Sequence, residues 1–256
     1  MFRTLRILLS SALVKGIVGQ YVAWALGYGF IAMLRSFRGQ PTPWLYEPAI
    51  AFGALMSVLG FLLAAGVLTD WLKWIVGKRT PLVHGAPEGK PEWSRYFNVD
   101  YNHKVIGIQY GITSLLVLLV GGLFAIIFRV ELAHPGMQWL TNDQFNTLFS
   151  AHGIVMIASI LLGVGAMVNY LVPLMIGASD MAFPRLNAFS FWVAIPSIFL
   201  ILTGMAVGGW DTGWVGYSTL SLRAPLGIVL FLLGFWINGF SSIASSINML
   251  VTATTM

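Results

Sequence analysis

The sequence predicts an all-α, polytopic membrane protein with six transmembrane helices, and three observations carry that reading. Charged residues are 9% of the 256 residues and hydrophobic residues 57%, with a mean hydropathy of +0.82. An average soluble protein carries about 25% charged residues, so a water-facing shell cannot be built here. Six stretches lack Asp, Glu, Lys and Arg altogether: Gly16–Leu34, Pro48–Thr69, Val105–Phe128, Gln144–Ser179, Leu186–Trp210 and Ala224–Met256. Each has at least 19 residues, and roughly 20 apolar residues cross a bilayer core. Cysteine is absent, which excludes disulfides and thiolate metal sites.

The net charge of +5 matters through its placement and does not point to nucleic acid. Arg3, Arg6 and Lys15 precede the first span. Lys73, Lys78, Arg79, Lys90, Arg95 and Lys104 crowd the segment between the second and third. Two spans separate these clusters, so they share a side, and Arg185 joins them. That side holds ten of the fourteen basic residues; Arg35, Arg38, Arg129 and Arg223 fall on the other. The positive-inside rule makes the richer side cytoplasmic, with both termini there. The opening MFRTLRILLSSALVKG reads as an interfacial helix leading into the first span, in preference to a mitochondrial presequence.

In order, residues 1–76 form a two-helix hairpin that turns at RGQPTPW (38–44). Residues 77–104, with three prolines and three glycines, read as a cytoplasmic linker. Residues 105–256 supply four more spans joined by short connections. The third span ends at Arg129, and the fourth runs from about Thr147 to Ile176, roughly 45 Å of helix. Hairpin geometry puts Arg129 and His152 at similar depths near the outer face, with Asp180 past the opposite end of the fourth helix.

His152 is the only histidine within a span. An ionisable group in hydrocarbon costs several kcal/mol unless partnered. It reads either as a helix-end histidine bonded to a carbonyl or as a metal or heme ligand through a neutral imidazole nitrogen. His84 and His103 fall in the linker and His134 in the outer loop, so a second axial ligand would come from outside this sequence. Arg129 reads as an interface anchor or as a fixed guanidinium donating to a buried acceptor. Asn169, Asn187, Tyr110, Ser241, Ser242 and Asn248 read singly as interhelical glue; with Asp180 they read together as a file for proton transfer.

Four segments resemble subunit I of the heme–copper oxidases, in the family's order. They are DYNHKVIGIQY (100–110), FSAHGIVMI (149–157), NYLVPLMIGASDMAFPRLNAFSFW (169–192) and TGWVGYSTL (212–220). The resemblance covers about residues 98–256 and corresponds to helices I–IV of the catalytic subunit. It implies that His152 is one axial ligand of a low-spin heme, and that Arg129 hydrogen-bonds the formyl group, so the heme is heme a. It further implies that Trp214 lies near the propionates and that Asp180 is the mouth of the D proton channel. Asn169 and Asn187 would flank that mouth, with Tyr110, Ser241, Ser242 and Asn248 farther along the water path. Glu131 falls where some members bind a cation.

Departures qualify that picture. In the family, the copper B histidines, the high-spin heme ligand, the redox tyrosine and the second low-spin ligand lie beyond helix IV, where this sequence stops. The expectation is a subunit split between two polypeptides, or a partial chain, that works with subunits II and III in a prokaryotic inner membrane, or less expectedly a mitochondrial one. The 16 residues between His152 and Asn169 are slightly fewer than usual. The two helices before residue 77 stand outside the family core and read as a lipid-facing or partner-docking hairpin. Cytochrome c or another small electron-donor protein is the expected donor, because Gln144 precedes FNTLFSAHG and the third span has no carboxylate. A quinol oxidase or a nitric oxide reductase is the alternative, DMAFPRLN speaking against the latter. A heme-free transporter or assembly partner is the alternative from another class.

Overall fold

The computed structural model describes residues 2–82 and 85–256; His84 of the expected linker lies outside the described residues. Along the described chain come α1 (Phe2–Leu9), α2 (Ala12–Phe37), α3 (Glu47–Ala64), α4 (Thr69–Ile75) and a 3-10 turn (Glu92–Phe97). Then follow α5 (His103–Glu131), α6 (Asn142–Ile176), α7 (Pro184–Ala206), α8 (Ser218–Ser221) and α9 (Gly227–Thr255), with no strand among the described residues. Six of these, α2, α3, α5, α6, α7 and α9, are long and apolar enough to cross a membrane. They alternate in direction. The linker, the α6–α7 turn and the end of α9 therefore gather at one end (the linker end), and the loops 38–46, 132–141 and 207–226 at the other (the loop end).

The spans pair as antiparallel hairpins, α2 with α3, α5 with α6, and α7 with α9. Lipid gives apolar helices no hydrophobic reason to associate, so close backbone approach through small residues does the work. Gly19 faces Gly60 and Ala64, Gly16 lies under the Phe61 ring, and Gly27 meets Gly53 and Met56. A side chain at Gly60 would collide with Ala23 and the Gly19 carbonyl. Gly204 and Gly227 bring α7 and α9 together in the same way. The α2–α3 turn is fastened by Arg35, which donates from Nε and Nη2 to the Pro41 carbonyl at 3.1 and 2.9 Å and stacks over Tyr46.

α7 is the most enclosed span, packed by α3, α5 and α9. Trp192 on it lies beside Phe61 of α3, with ring centroids 6.2 Å apart. Gln20 Nε2 donates to the Pro196 carbonyl at 3.1 Å, so the N-terminal hairpin is seated on the core by a buried polar contact as well as by packing.

α6 starts at Asn142, earlier than the expected Thr147. Thr141 and Gln144 form a capping box: Thr141 Oγ1 accepts from Gln144 N at 3.3 Å, and Gln144 Oε1 accepts from Thr141 N at 3.0 Å. Its 35 residues make about 52 Å of helix. Near the other end, Pro173 has no N–H to give the Asn169 carbonyl. His103 Nδ1, from the first turn of α5, donates to that carbonyl at 2.9 Å. His103 is thus a buried helix residue, 1% exposed, where the sequence reading placed it in the linker. Gly177, at φ 75°, ends the helix.

Candidate functional site

Toward the loop end, the α5–α6 register sets the depth of His152. Gly121 faces Val155 and Met156, and Gly107 faces Ala166 and Tyr170. His152 is therefore level with Phe124 and Ala125, and Arg129 lies about one helical turn nearer the loop end. The two residues, expected at similar depths, thus lie within about one turn of each other. Arg129 is exposed and follows Phe128 in sequence.

His152 Nδ1 lies 2.8 Å from the Gly121 carbonyl oxygen, and its ring meets Phe128 edge-on at 5.5 Å. A carbonyl only accepts, so Nδ1 carries the hydrogen and Nε2 keeps a lone pair. A carbonyl on the far ring nitrogen is the usual way proteins fix the tautomer of a metal-binding imidazole. Trp214 is brought next to it. Ser150 Oγ accepts the Gly213 N–H at 3.0 Å, and Trp214 packs so closely on Gly153 that a Cβ there would lie 3.2 Å away. Among the described residues no three His, Cys, Asp or Glu side chains cluster as a metal site. The donor set is one oriented imidazole, which fits a heme iron that takes its other ligand elsewhere.

In the linker-end half of the bundle, Tyr110 OH donates to Ser190 Oγ at 3.0 Å and lies 3.5 Å from Ser241 Oγ. Ser241 Oγ donates to the Ser190 carbonyl at 2.6 Å, and Ser190 Oγ to the Asn187 carbonyl at 2.7 Å. Ser190 is thus the hub of this group, and the sequence reading missed it. The available signal was its position three residues after Asn187, on the same face of one helix. A cavity of about 260 Å³ opens here, lined by Tyr110, Asn238, Ser241, Ser242, Ser245 and Ser246. Three of those, Asn238, Ser245 and Ser246, were not singled out from the sequence.

One turn toward the linker end lie Asn169, four residues after Gly165, which packs on the Tyr110 ring, and Asn187. Both are fully buried. Asn169 Oδ1 and both amide atoms of Asn187 have no hydrogen-bond partner in the protein. Buried polar atoms are satisfied in nearly every native structure, so such orphans mark places for ordered water. Asp180 follows in the α6–α7 turn, its Oδ1 accepting the Met181 N–H at 2.7 Å.

Three residues here serve the backbone. Asn248 Oδ1 accepts from Phe183 N at 2.8 Å and its Nδ2 donates to the Phe183 carbonyl at 3.3 Å, while Thr252 Oγ1 accepts from Ala182 N at 2.9 Å. Asn248 therefore clamps the turn that carries Asp180. Glu131 accepts the backbone N–H groups of Gln138 at 2.6 Å, Trp139 at 2.9 Å and Leu140 at 3.3 Å. Both of its oxygens help to shape the 132–141 loop.

An oriented imidazole near one end, a carboxylate at the other and a buried polar file between them, within six spanning helices, define an integral membrane protein with polar chemistry inside its bundle. The sequence profile of the family described as cytochrome C and quinol oxidase polypeptide I matches residues 105–256, and the chain belongs to that family. Cytochrome c oxidase subunit 1 of Synechocystis sp. is 42% identical over 173 residues, which cover 67% of this chain and 31% of that protein. The Corynebacterium glutamicum subunit is 44% identical over 175 residues, 65% of this chain and 29% of the relative. That of Thermostichus vulcanus is 42% identical over 164 residues, with 63% and 30% covered. The chain thus spans about a third or less of the length of these relatives.

Proposed function

We propose that the chain forms part of the catalytic subunit of a proton-pumping terminal oxidase that reduces oxygen to water. It contributes one axial ligand of a low-spin heme a and the proton-uptake route. The remaining part of subunit I holds the high-spin heme and copper B, and subunits II and III complete the complex in a prokaryotic inner membrane, both termini cytoplasmic. The relatives' names favour cytochrome c as the electron donor over quinol. The observation that carries the reading is His152, whose Nδ1 is tied to the Gly121 carbonyl so that Nε2 is the ligating atom.

A low-spin heme supplies one-electron transfer when bound. His152 would hold its iron through Nε2, with the Gly121 carbonyl fixing the tautomer and limiting rotation of the imidazole. Arg129 would donate hydrogen bonds to a formyl group, and Trp214 would lie near the propionates. At the cytoplasmic surface Asp180 collects protons. The Asn169 amide oxygen and both amide atoms of Asn187, unpaired within the protein, hold water above it. Ser190, Tyr110 and Ser241 follow, each hydroxyl both donor and acceptor, so that a proton passes by exchanging partners. Ser242 lines the cavity these groups share. Electrons taken from the outer side and protons from the inner side move charge across the bilayer, which stores about 2.3 kcal/mol per charge per 100 mV.

The test uses the complex purified from membranes. His152→Ala is expected to abolish the low-spin heme band in a reduced-minus-oxidised spectrum; an unchanged band overturns the ligand assignment. Asp180→Asn is expected to slow proton uptake while heme content stays normal. Loss of heme in that variant overturns the channel role of Asp180.

A further inference from the structure

Arg185 stands in the first turn of α7. A helix N-terminus carries partial positive charge, so a guanidinium there needs an anion beside it. That anion comes from the N-terminal hairpin. Asp70, in the first turn of α4, accepts Arg185 Nε at 2.7 Å. The same oxygen accepts the Tyr101 hydroxyl at 3.0 Å. Arg185 Nη2 donates to Thr80 O at 2.7 Å and Oγ1 at 3.2 Å, and its guanidinium lies over the Trp74 ring at 4.7 Å. The Arg185 and Asp70 side chains are only 17% and 13% exposed, so this pair is not a loose surface contact.

Arg185 follows Asp180 by five residues. The short segment between them is clamped on one flank by Asn248 and Thr252 of α9. On the other flank it runs directly into the Arg185 anchor. The turn is therefore held from two sides, once by the family core and once by the hairpin that precedes it.

We propose that Asp70 is a positioning residue for proton uptake: through Arg185, the N-terminal hairpin fixes the α6–α7 turn that presents Asp180. This rests on the reading of Asp180 as the proton-uptake carboxylate. It gives residues 1–76 a task that lipid contact alone does not, since the hairpin acts as a fixed brace on the turn. By pairing Arg185, Asp70 also keeps a bare positive charge off the path of an approaching proton.

The purified complex is compared as wild type, Asp70→Asn, Asp180→Asn and the double swap Asp70→Arg with Arg185→Asp. Heme absorbance, proton uptake in vesicles and amide hydrogen exchange of residues 178–184 are measured. Asp70→Asn is expected to keep normal heme absorbance, to raise exchange in 178–184 and to slow proton uptake about fivefold, the equivalent of roughly 1 kcal/mol. The double swap is expected to recover most of the uptake. Wild-type exchange and uptake in Asp70→Asn overturn the proposal while leaving the Asp180 reading intact, provided Asp180→Asn is slow. Normal uptake in Asp180→Asn overturns both. Should Asp70→Asn fail to assemble, Tyr101→Phe removes one hydrogen bond from the same carboxylate; it is expected to raise exchange in 178–184 by a smaller factor, and unchanged exchange overturns the proposal.

Discussion

Tyr110 gives its phenolic hydrogen to Ser190 across 3.0 Å, joining α5 to α7 in the buried interior of the bundle. Because Ser190 also receives Ser241 at its carbonyl, three helices meet at one residue. Tyr110→Phe removes the donor without changing the shape. Its expected cost in stability is about 1 kcal/mol, that of one buried hydrogen bond. Proton uptake should fall with no change in the heme spectrum, checked by stopped-flow pH-indicator measurements on vesicles.

Gly121 leaves its carbonyl open to His152, and a Cβ there would come within 2.9 Å of Met156 Sδ and 3.1 Å of Val155. Gly121→Leu pushes α6 away and takes the imidazole off its carbonyl. The expected result is a shifted or weakened low-spin heme band with the membrane protein still folded. Electron paramagnetic resonance of the low-spin iron checks it.

The α2–α3 seam has no room for a side chain at its closest point, Gly60. Gly60→Leu is expected to splay the hairpin and to destabilise it by about 1–3 kcal/mol, the range for overpacking. Gly29→Leu, on the same hairpin but with open space around it, should be near neutral. Thermal unfolding in detergent separates the two.

Docking of the linker on α7 is expected to depend on pH at both extremes. Burial opposes ionisation of Asp70, yet the hydrogen bonds from Arg185 and Tyr101 and the Arg185 charge outweigh it and hold the carboxyl below its usual 3.8. A depressed acid contributes stability that is complete above its unfolded value and is lost as pH falls through the folded one. Burial first, then the Asp70 hydrogen bond and charge, push Tyr101 up from 10.0 to about 12. Its contribution is complete below pH 10.0 and fades as pH rises through about 12. Limited proteolysis of residues 77–82 should show a protected plateau between the two limbs. Asp70→Asn should change the acid limb and Tyr101→Phe the alkaline one.

The six spans were legible because hydrophobic length is a local property of the chain; the count of imidazoles inside them was not, since His103 opens α5 and joins His152 there. The start of α6 was legible too, had the T-N-D-Q pattern at Thr141–Gln144 been read as a capping box. What stayed hidden depends on partners far along the chain. Asn248 reads as one more polar residue until its clamp on Phe183, 65 residues away, is seen. Ser190 looks like packing until Tyr110 is placed beside it. Asp70 and Arg185 lie 115 residues apart, and no periodicity joins them. Glu131 likewise reads as a lone acid until its bonds to the amides of Gln138, Trp139 and Leu140, seven to nine residues on, are seen.

The clamp on the Asp180 turn has a consequence for biogenesis. The ribosome finishes Ala182 and Phe183 well before it makes Thr252 and Asn248, which fasten them from 70 and 65 residues downstream. Until the last helix is threaded into the bilayer, the turn between α6 and α7 has its N–H groups unfastened on that flank. The earlier-made hairpin, with Asp70 already in place, is there to hold its other flank during insertion.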